Sequence, residues 1–460
     1  PTRRSSDLRE FSSFRDPSGY VFFKDDTFYR CVMPVYKENY DLLLKSGLSH
    51  FLEEKGWLVV TREVKNTIKG AYKLLEAEKI NFISYPYEWS FSAYKDAALL
   101  TLKIQKQAIL HGMTLKDASA YNVQFKNGKP IFIDTLSFEK LDETAPWKAY
   151  KQFCQHFLAP LALMSYRDVR LSCLMKQYID GIPLDMAAKM LPLLVKPGIW
   201  MHIYLNAYFQ DKYKDSGTAI KSWHNMSKEK HIALVEGLYH LIKSLKHPMK
   251  HTEWENYYDF TNYTKKAFAD KENIVKTFIK EIKPVRQILD VGANNGYFTR
   301  VALKAADKAE AIAFDIDVNA VEKNYSAIKQ TEEKNILPLV LDLLNPSPAI
   351  GWANQERTDI VSRAHADVVL ALALIHHLCL AANVSFDYAA AYLRRLAPFL
   401  VIEFVPKEDS QAQKLLASRE DIYAWYNAEE FEKAFLKKYR LVKKVPIKGS
   451  QRIMYLFAAL

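Results

Sequence analysis

Hydrophobic and polar positions from Arg286 to the end of the chain alternate between short strand-like runs and longer helix-compatible stretches. The candidate strands lie at residues 287–291, 311–315, 338–341, 367–371 and 400–404. Strands that alternate with helices in this way predict a doubly wound parallel α/β sheet. Two final runs, 440–446 and 452–457, are joined by a short Lys-Gly-Ser turn and predict an antiparallel edge strand.

The first part of the chain mixes strand-like and helical patterns. Residues 19–32 predict a β-hairpin, because the Asp25-Asp26 pair separates two β-prone runs. Residues 92–112 carry the pattern of a long amphipathic helix, which Gly112 is expected to stop. These signals predict an α+β arrangement for this part of the chain.

The middle of the chain follows a helical pattern almost throughout. Breaks are predicted near Gly181, near Pro197 and at residues 215–217, where glycine and proline interrupt the pattern. The hydrophobic pattern therefore divides the chain into three predicted regions. They are an α+β region at 9–145, a helical region at 146–280 and a cofactor-binding α/β domain at 281–460.

The composition is that of a globular protein. The chain has 460 residues, of which 49% are hydrophobic and 25% are charged, and this length favours at least two domains. The four cysteines form no CxxC pair, which argues against a zinc knuckle or a disulfide framework and predicts a cytoplasmic location. The first eight residues, PTRRSSDL, match a translated sequencing adapter and are not expected to belong to the fold.

The net charge of +11 favours anionic partners only in a general way. Lysine and arginine are spread along the chain without polybasic blocks, so a nucleic-acid partner is not favoured. No apolar run reaches the ~18 residues of a membrane-spanning helix. The nearest run, 368–384, contains His376 and His377 and is interpreted as a buried strand that leads into a helix.

The strongest motif is ILDVGANNGYFT at residues 288–299. An apolar strand ends near Asp290, a glycine-containing turn follows, and a helix is predicted to begin near Gly296. Gly292 and Gly296 allow a ligand to lie against the backbone. Open α/β sheets bind their ligands at the carboxyl ends of the strands, where Asp290 is placed.

A second acidic residue, Asp315, ends the next predicted strand in AIAFDID. A carboxylate at this position can accept hydrogen bonds from the two hydroxyls of a ribose. Asp290 beside the turn would repel the pyrophosphate of a dinucleotide, and the GxGxxG pattern is missing. The residues therefore favour S-adenosylmethionine, with its cationic sulfonium, over NAD, while a vestigial pocket in a Rossmann-like domain stays open.

The C-terminal region resembles the class I S-adenosylmethionine-dependent methyltransferases, which have a Rossmann-like sheet. The resemblance implies that the methionine moiety lies against Asp290 and the turn of Gly292, Asn294 and Gly296. It further implies that Asp315 holds the ribose, that Ile316 lies beside the adenine, and that Asp342 caps the adenine amino group. The Asn294-Asn295 pair departs from the small residues that many members have in this turn.

Two adjacent histidines follow the fourth predicted strand, in the sequence ALALIHHL. In a fold of this kind that strand faces the transferred methyl group. His376 and His377 are therefore candidate bases for a hydroxyl acceptor, with the alternative that one of them packs or caps the following helix. The Asn/Asp-Pro-Pro-aromatic signature of base-directed amino methylation is absent, which favours oxygen. Glu403 either lines the acceptor pocket or forms a local salt bridge.

The N-terminal region contains a second pattern of polar residues. Asp117 and Asn122 have the Asp-x-x-x-x-Asn spacing, and Asp134 ends a later β-like run. This set resembles the catalytic and metal-binding loops of kinase-like folds and implies ATP–Mg²⁺. No Gly-rich phosphate loop and no clear strand lysine accompany it. Three interpretations stay open: structural turn caps, a degenerate binding module, and an active phosphotransferase site.

Four segments together resemble a bacterial methyltransferase family that includes NoeA-like nodulation proteins. They are FRDPSGYVF, DASAYNVQF, FIDTLSF and ALIHH, and the likeness covers nearly the whole chain after residue 9. The family implies methyltransferase activity without fixing the acceptor. The nodulation context favours a small-molecule acceptor such as a saccharide or another cell-surface precursor. A kinase-like phosphotransferase or ATP-binding module fused to a cofactor domain is the alternative function, and a non-catalytic binding protein is a third.

Overall fold

The computed structural model describes residues 10–65, 68–208, 226–248, 263–417 and 420–460. These residues fall into two compact units. The first contains the described residues up to 248 together with the segment Ala349–Arg357, and the second contains 263–348 with Thr358–Leu460. The segment Ala349–Arg357 is therefore an excursion that leaves the second unit and joins the first.

The first unit begins with a four-stranded antiparallel sheet in the order β1-β2-β4-β3. Its strands are β1 (Gly19–Lys24), β2 (Thr27–Val32), β3 (Thr61–Glu63) and β4 (Lys73–Ala77), and helices α1 (Lys37–Lys45) and α2 (Leu48–Glu54) lie between β2 and β3. The predicted hairpin is confirmed as β1 and β2. Asp25 and Asp26 have φ values of 49° and 59°, the left-handed pair that a two-residue type I′ turn needs.

The predicted long helix is confirmed as α3 (Phe91–Leu110). The Ser90 side chain accepts a hydrogen bond from the Ala93 N–H and caps its start, and Gly112 follows its end at φ 74°. Two short antiparallel ladders come next: β5 (Met113–Leu115) pairs with β8 (Phe138–Lys140), and β6 (Val123–Lys126) pairs with β7 (Lys129–Phe132). The turns that connect these strands carry the candidate kinase-like residues.

The helical pattern predicted after β8 is confirmed within the described residues. The helices are α4 (Tyr150–Phe153), α5 (Ala159–Tyr166), α6 (Leu174–Gln177), α7 (Leu184–Met190), α8 (Pro197–Ile199) and α9 (Lys228–Ser244). Two π-helical turns, Cys154–Leu158 and Trp200–Leu205, continue α4 and α8. The predicted break at residues 215–217 lies outside the described residues.

The second unit contains a seven-stranded sheet in the order β11-β10-β9-β12-β13-β15-β14. The strands are β9 (Gln287–Val291), β10 (Glu310–Asp315), β11 (Ile336–Val340), β12 (Val368–Ala371), β13 (Phe399–Phe404), β14 (Tyr439–Pro446) and β15 (Ile453–Ala459). The first five are parallel, and β15 runs antiparallel to both β13 and β14. The predicted Rossmann-like sheet and its closing hairpin are confirmed, and the antiparallel strand lies one position inside the edge.

Helices accompany the strands of this sheet, as the alternating pattern predicts. They are α10 (Lys265–Glu281), α11 (Tyr297–Ala305), α12 (Val318–Thr331), α13 (Ile360–Arg363), α14 (Phe386–Leu396), α15 (Ser410–Leu416) and α16 (Ala428–Leu436). The apolar stripe of α10 shares a buried core with β9, β12 and β13, through residues such as Phe278, Ile288 and Val401. Among the described residues, no helix is both long and apolar enough to cross a bilayer.

Candidate active site

Asp290 lies near the carboxyl end of β9, in the middle of the sheet. Its side chain is only 2% exposed and accepts a hydrogen bond of 2.6 Å from Thr299 Oγ1. Burial raises the pKa of Asp290 to about 7, the charge of Asp315 acts in the same direction, and the Thr299 hydroxyl and Lys271 oppose them. The carboxylate is therefore stabilised poorly by water and is suited to a cationic ligand group.

The turn after Asp290 has the backbone conformation that its glycines allow. Gly292, Asn294 and Gly296 have φ values of 82°, 50° and 78°. A Cβ at Gly296 would lie 2.6 Å from Asn324 Nδ2, so a side chain has no room there. At Gly292 the nearest atom to such a Cβ would be Leu374 Cδ1, at 3.5 Å. The turn is therefore tightly packed at Gly296, whereas a Cβ at Gly292 would be in ordinary van der Waals contact with Leu374.

Asp315 ends β10, the strand next to β9. Its Oδ2 accepts from the Asn294 N–H at 2.7 Å, and its Oδ1 accepts from the Asp317 N–H at 2.8 Å. Burial raises the pKa of Asp315 to about 6, against the lowering effect of these bonds. The Ile316 N–H also donates to this carboxylate. An ionised carboxylate accepts about four hydrogen bonds, so Asp315 retains capacity for a further donor such as a ribose hydroxyl.

Ile316 and Asp342 border the same end of the sheet. The side chain of Ile316 is 60% exposed, whereas Asp317 beside it is buried and caps α12 by accepting from two backbone N–H groups. Asp342 comes directly after Leu341, whose N–H donates to the Asp315 carbonyl at 2.9 Å. Its Oδ1 accepts from the Leu344 N–H at 2.8 Å. The structure thus brings the residues expected around the nucleoside to one edge.

The two histidines follow a sharp turn after β12. Ala373 in this turn has a left-handed φ of 49°, and the neighbouring Leu374 is the side chain that approaches Gly292. His376 is 1% exposed, and its Nδ1 has no hydrogen-bond partner among the described residues. His377 is half-buried, begins a π-helical turn, and has its ring centroid 4.2 Å from that of His376. The histidine turn therefore lies beside the glycine turn.

Both histidines are held in the neutral form. Burial lowers the pKa of His377 to about 4, and the charge of Arg452 adds to the effect. Burial also lowers the pKa of His376 well below its usual value, with further contributions from His377, Arg452 and Lys271. A neutral imidazole can accept a proton, and a pKa of about 4 makes His377 a weaker base than a solvent-exposed histidine. Of the two, His377 has the greater access to an acceptor.

Glu403, at the end of β13, is completely buried and forms an ion pair. Lys271 Nζ lies 2.7 Å from its Oε2, and Arg452 Nη1 lies 3.3 Å from its Oε1. The salt-bridge interpretation of this residue is confirmed, and its side chain does not line an open pocket. The two cations hold the pKa of Glu403 down at about 2, although burial alone would raise it.

Lys271 is the partner that the sequence interpretation missed. It lies on α10 at helical spacing from Ala267, Ile274 and Phe278, all of which are buried. A lysine on the apolar stripe of an amphipathic helix is a signal of a buried, paired charge. That signal was present in the sequence, although it could not name the partner.

The Asp117, Asn122 and Asp134 set is also brought together, within the first unit. Burial and the nearby charge of Asp134 raise the pKa of Asp117, and the Asn122 side chain bonds to the Asp117 carboxylate. Arg30 Nη1 lies 2.5 Å from Asp134 Oδ1, and Gln152 Nε2 donates to Asp117 Oδ1 at 2.8 Å. Both acids are therefore engaged by side chains of their own unit.

Each of these two acids also holds a local turn. Asp117 accepts from the Ser119 N–H at 3.0 Å, and Asp134 accepts from the Leu136 N–H at 3.2 Å. The described residues contain no group of three or more His, Cys, Asp or Glu side chains placed to hold a metal ion. These contacts are those of turn caps, and the kinase-like site stays a hypothesis.

A comparison with curated proteins finds a relative over the full chain. The nodulation protein NoeA of Rhizobium meliloti (strain 1021) is 37% identical over 462 aligned residues, which cover 98% of this chain and 96% of the relative. No protein-family model matches the chain.

Solved methyltransferase structures align with part of the chain at low identity. The N-methyltransferase NodS of Bradyrhizobium japonicum WM9 is 12% identical, with 42% of this chain and 96% of NodS covered and a TM-score of 0.31. The magnesium protoporphyrin IX methyltransferase ChlM of Synechocystis PCC 6803, with bound SAH, is 14% identical, with 45% and 93% covered and a TM-score of 0.32. The fold assignment of the second unit rests on its own strand order and not on these scores.

Proposed function

Because the chain belongs to the family of the nodulation protein NoeA and its second unit has the seven-stranded sheet of class I methyltransferases, we propose that it transfers the methyl group of S-adenosylmethionine to an oxygen acceptor. The observation that carries the proposal is the placement of two buried carboxylates, Asp290 and Asp315, at the ends of neighbouring strands around one glycine turn. Ligands of open α/β sheets bind at the carboxyl ends of the strands, so the position of that turn supports its role as the cofactor site.

Each residue of this edge has a role that its contacts support. Asp290 would face the ammonium group of the methionine moiety, and Gly292, which has no side chain, would let that moiety approach the backbone. Asp315 would accept hydrogen bonds from the ribose hydroxyls, and the exposed Ile316 would pack against the adenine. Asp342 would accept from the adenine amino group. When bound, S-adenosylmethionine supplies an electrophilic methyl group on a sulfonium.

The carboxylates also favour this cofactor over a dinucleotide. Asp290 and Asp315 flank the turn closely enough for the charge of one to raise the pKa of the other. A pyrophosphate placed on the same turn would add negative charge to a buried pair of acids, where electrostatic repulsion is strong. A ligand that carries an ammonium and a sulfonium near Asp290 relieves this repulsion.

The histidine turn provides the acceptor side of the proposal. His377 is neutral and half-buried, and it would accept the proton of a hydroxyl as the oxygen attacks the methyl carbon. His376 is almost fully buried and would support the ring of His377 from behind. Alignment of the two reactants beside Gly292 would supply most of the acceleration, because methyl displacement depends mainly on positioning.

The acceptor class follows from the relative and from the histidines. The relative is named as a nodulation protein, which supports a saccharide or another cell-surface precursor with a free hydroxyl as the acceptor. A histidine base suits a hydroxyl, because an amine needs no base once it is unprotonated. The kinase-like alternative is not favoured, since Asp117 and Asp134 are engaged by Gln152 and Arg30.

Calorimetry tests the cofactor assignment without knowledge of the acceptor. The chain is titrated with S-adenosylmethionine, S-adenosylhomocysteine, NAD and ATP–Mg²⁺. We expect saturable binding of the first two, and loss of that binding in Asp290→Asn. Asp387→Asn is the matched control, because Asp387 pairs with Lys437 on the surface of the same unit. Binding of NAD alone, or of ATP–Mg²⁺ alone, would contradict the proposal.

A further inference from the structure

A buried cluster of charges connects the ends of β12 and β13. Glu403, the residue at its centre, is 0% exposed and is surrounded by hydrogen-bond donors. These donors are Lys271 Nζ at 2.7 Å, Arg452 Nη1 at 3.3 Å, the Tyr263 hydroxyl, and the Ala373 N–H at 2.9 Å. A backbone N–H of the histidine turn is therefore one of the four groups that Glu403 holds.

The cluster is electrically balanced. Arg452 donates from Nε and Nη2 to the two oxygens of Asp409, at 2.7 Å and 2.9 Å. Lys271 and Arg452 supply two positive charges, and Glu403 and Asp409 supply two negative charges. A buried ion pair is retained at little net cost only when its charges are matched and hydrogen-bonded in this way. The cluster therefore fixes its members in one arrangement.

The hydrogen bond from the Ala373 N–H to Glu403 connects the charge cluster to the histidine turn. Ala373 has a left-handed φ of 49°, which an L-residue adopts only when its surroundings impose it. Glu403 accepts from the N–H of this same residue. Leu374, the next residue, lies over Gly292, and the histidines follow within the same turn. A shift at Ala373 would therefore move both Leu374 and the histidines.

We infer that Glu403, fixed by Lys271 and Arg452, is a positioning residue that holds the Ala373 turn and so places His376 and His377 beside the cofactor turn. The inference rests on the proposed function for the role of the histidines. It assigns Glu403 no contact with substrate. It also accounts for a carboxylate at this position, because a glutamine would turn its NH₂ group toward one of four donors.

A pair of variants separates positioning from stability. The double variant Glu403→Leu with Lys271→Met removes both members of the central ion pair and leaves Arg452 paired with Asp409; replacements of this kind are often tolerated. The control Asp409→Asn weakens the same cluster while Glu403 keeps its contact with Ala373. An asparagine at 409 still caps α15, so the start of that helix is preserved.

Three measurements are made on each full-length variant. They are the affinity for S-adenosylhomocysteine, the hydrogen exchange of the amides in residues 372–377, and label transfer, which is the transfer of an isotope-labelled methyl group from S-adenosylmethionine to molecules of a cell extract. In the double variant we expect at least about ten-fold faster exchange of these amides, the factor for one lost hydrogen bond. We expect a similar or larger loss of label transfer. The affinity for S-adenosylhomocysteine, measured above pH 8 where Asp290 is ionised, should stay within about three-fold of the parent chain, since no cofactor contact is removed. Asp409→Asn should keep both the protection and the transfer.

The outcomes are distinguishable from failure of the proposed function. If the unaltered chain binds no S-adenosylhomocysteine, the cofactor assignment fails, whatever the variants do. If the double variant binds it normally and retains both amide protection and label transfer, Glu403 does not position the turn. Equal losses in Asp409→Asn and the double variant at equal thermal stability would reduce Glu403 to a structural role and overturn the inference. If the double variant does not fold, Lys271→Met alone provides the test, because Glu403 would then lose one of the two cations that fix it. Faster exchange of the amides in residues 372–377 together with reduced label transfer would support the inference, and unchanged exchange and transfer would overturn it.

Discussion

A change of pH should affect cofactor binding and folding stability in opposite directions, through Asp290. The cofactor ammonium requires the ionised carboxylate, whereas burial in the unliganded chain favours the protonated form. In the unfolded chain this group titrates near 3.8, and in the folded chain near 7. Its contribution to stability is therefore fully present below pH 3.8 and is lost as the pH rises through about 7.

The size of the effect follows from the two protonation states. With a pKa of about 7 and a bound state that needs the carboxylate, the dissociation constant at pH 6 should be about ten-fold higher than at pH 8. From pH 6 to pH 8 the unliganded chain should lose about 1.4 kcal/mol of unfolding free energy through Asp290, because the folded chain binds the proton more tightly than the unfolded chain. Asp315, with a pKa of about 6, adds a further factor of about two to the change in the dissociation constant and about 0.4 kcal/mol to the loss of unfolding free energy.

The assay is calorimetric titration with S-adenosylhomocysteine at several pH values between 6 and 8, together with urea unfolding at the same values. The ligand does not change its own charge in this range, so the slope reports the protein. Asp290→Asn removes the titrating group, and the difference between parent and variant in urea unfolding isolates its effect on stability from the rest of the chain. An affinity that does not change with pH in the parent chain would refute the reasoning.

Three further predictions concern single positions. Gly296→Ala should destabilise the chain by more than ~2 kcal/mol in urea unfolding, because this position combines a φ of 78° with a Cβ clash. The control Gly56→Ala, at a φ of 64° with open space around it, should lose only about 1 kcal/mol. Asp134→Ala should leave label transfer within about two-fold of the parent chain. It should lower thermal stability, because Arg30 loses its partner. Complete loss of transfer in a folded variant would favour an active N-terminal site. His377→Ala should lower label transfer by about 10²–10⁴-fold, with unchanged affinity for S-adenosylhomocysteine. In the parent chain, transfer should not depend on His377 ionisation above pH 5, because the pKa of His377 is about 4.

The sheet of the second unit could be predicted because each of its strands is a separate hydrophobic run. The run at Gln287–Val291 is bounded by charge on one side and by a glycine turn on the other, and the observed strand has the predicted bounds. Parallel strands present their carboxyl ends at one edge, so Asp290 and Asp315 could be assigned to the same edge of the sheet from the sequence. Local sequence was sufficient for this part of the fold.

The charge cluster depends on contacts that sequence spacing does not encode. Lys271 and Glu403 are 132 residues apart along the chain. Arg452 directly precedes β15, the hairpin strand that pairs with β13. A pattern of period 3.6 places Lys271 on the buried face of α10, but only the packed sheet identifies its partner. The Arg30–Asp134 pair, 104 residues apart, has the same origin.

The excursion Ala349–Arg357 is the other feature that the pattern could not reveal. Its residues follow β11 within the strand–helix series, yet they belong to the first unit. Arg357 stacks on the ring of Tyr121 at 4.5 Å, and the buried Glu356 accepts from Arg15 at 2.9 Å. Domain membership here is set by side-chain pairing and not by position along the chain.

The most direct test of the central claim is the formation of S-adenosylhomocysteine together with a methylated product. The purified chain is incubated with S-adenosylmethionine and extract of a strain that lacks the encoding gene, and both products are quantified by mass spectrometry. We expect S-adenosylhomocysteine in equal amount to a new product that is heavier by one CH₂ group, and the loss of both with Asp290→Asn. Saturable binding of S-adenosylmethionine without S-adenosylhomocysteine above the level of chain-free extract would contradict methyl transfer.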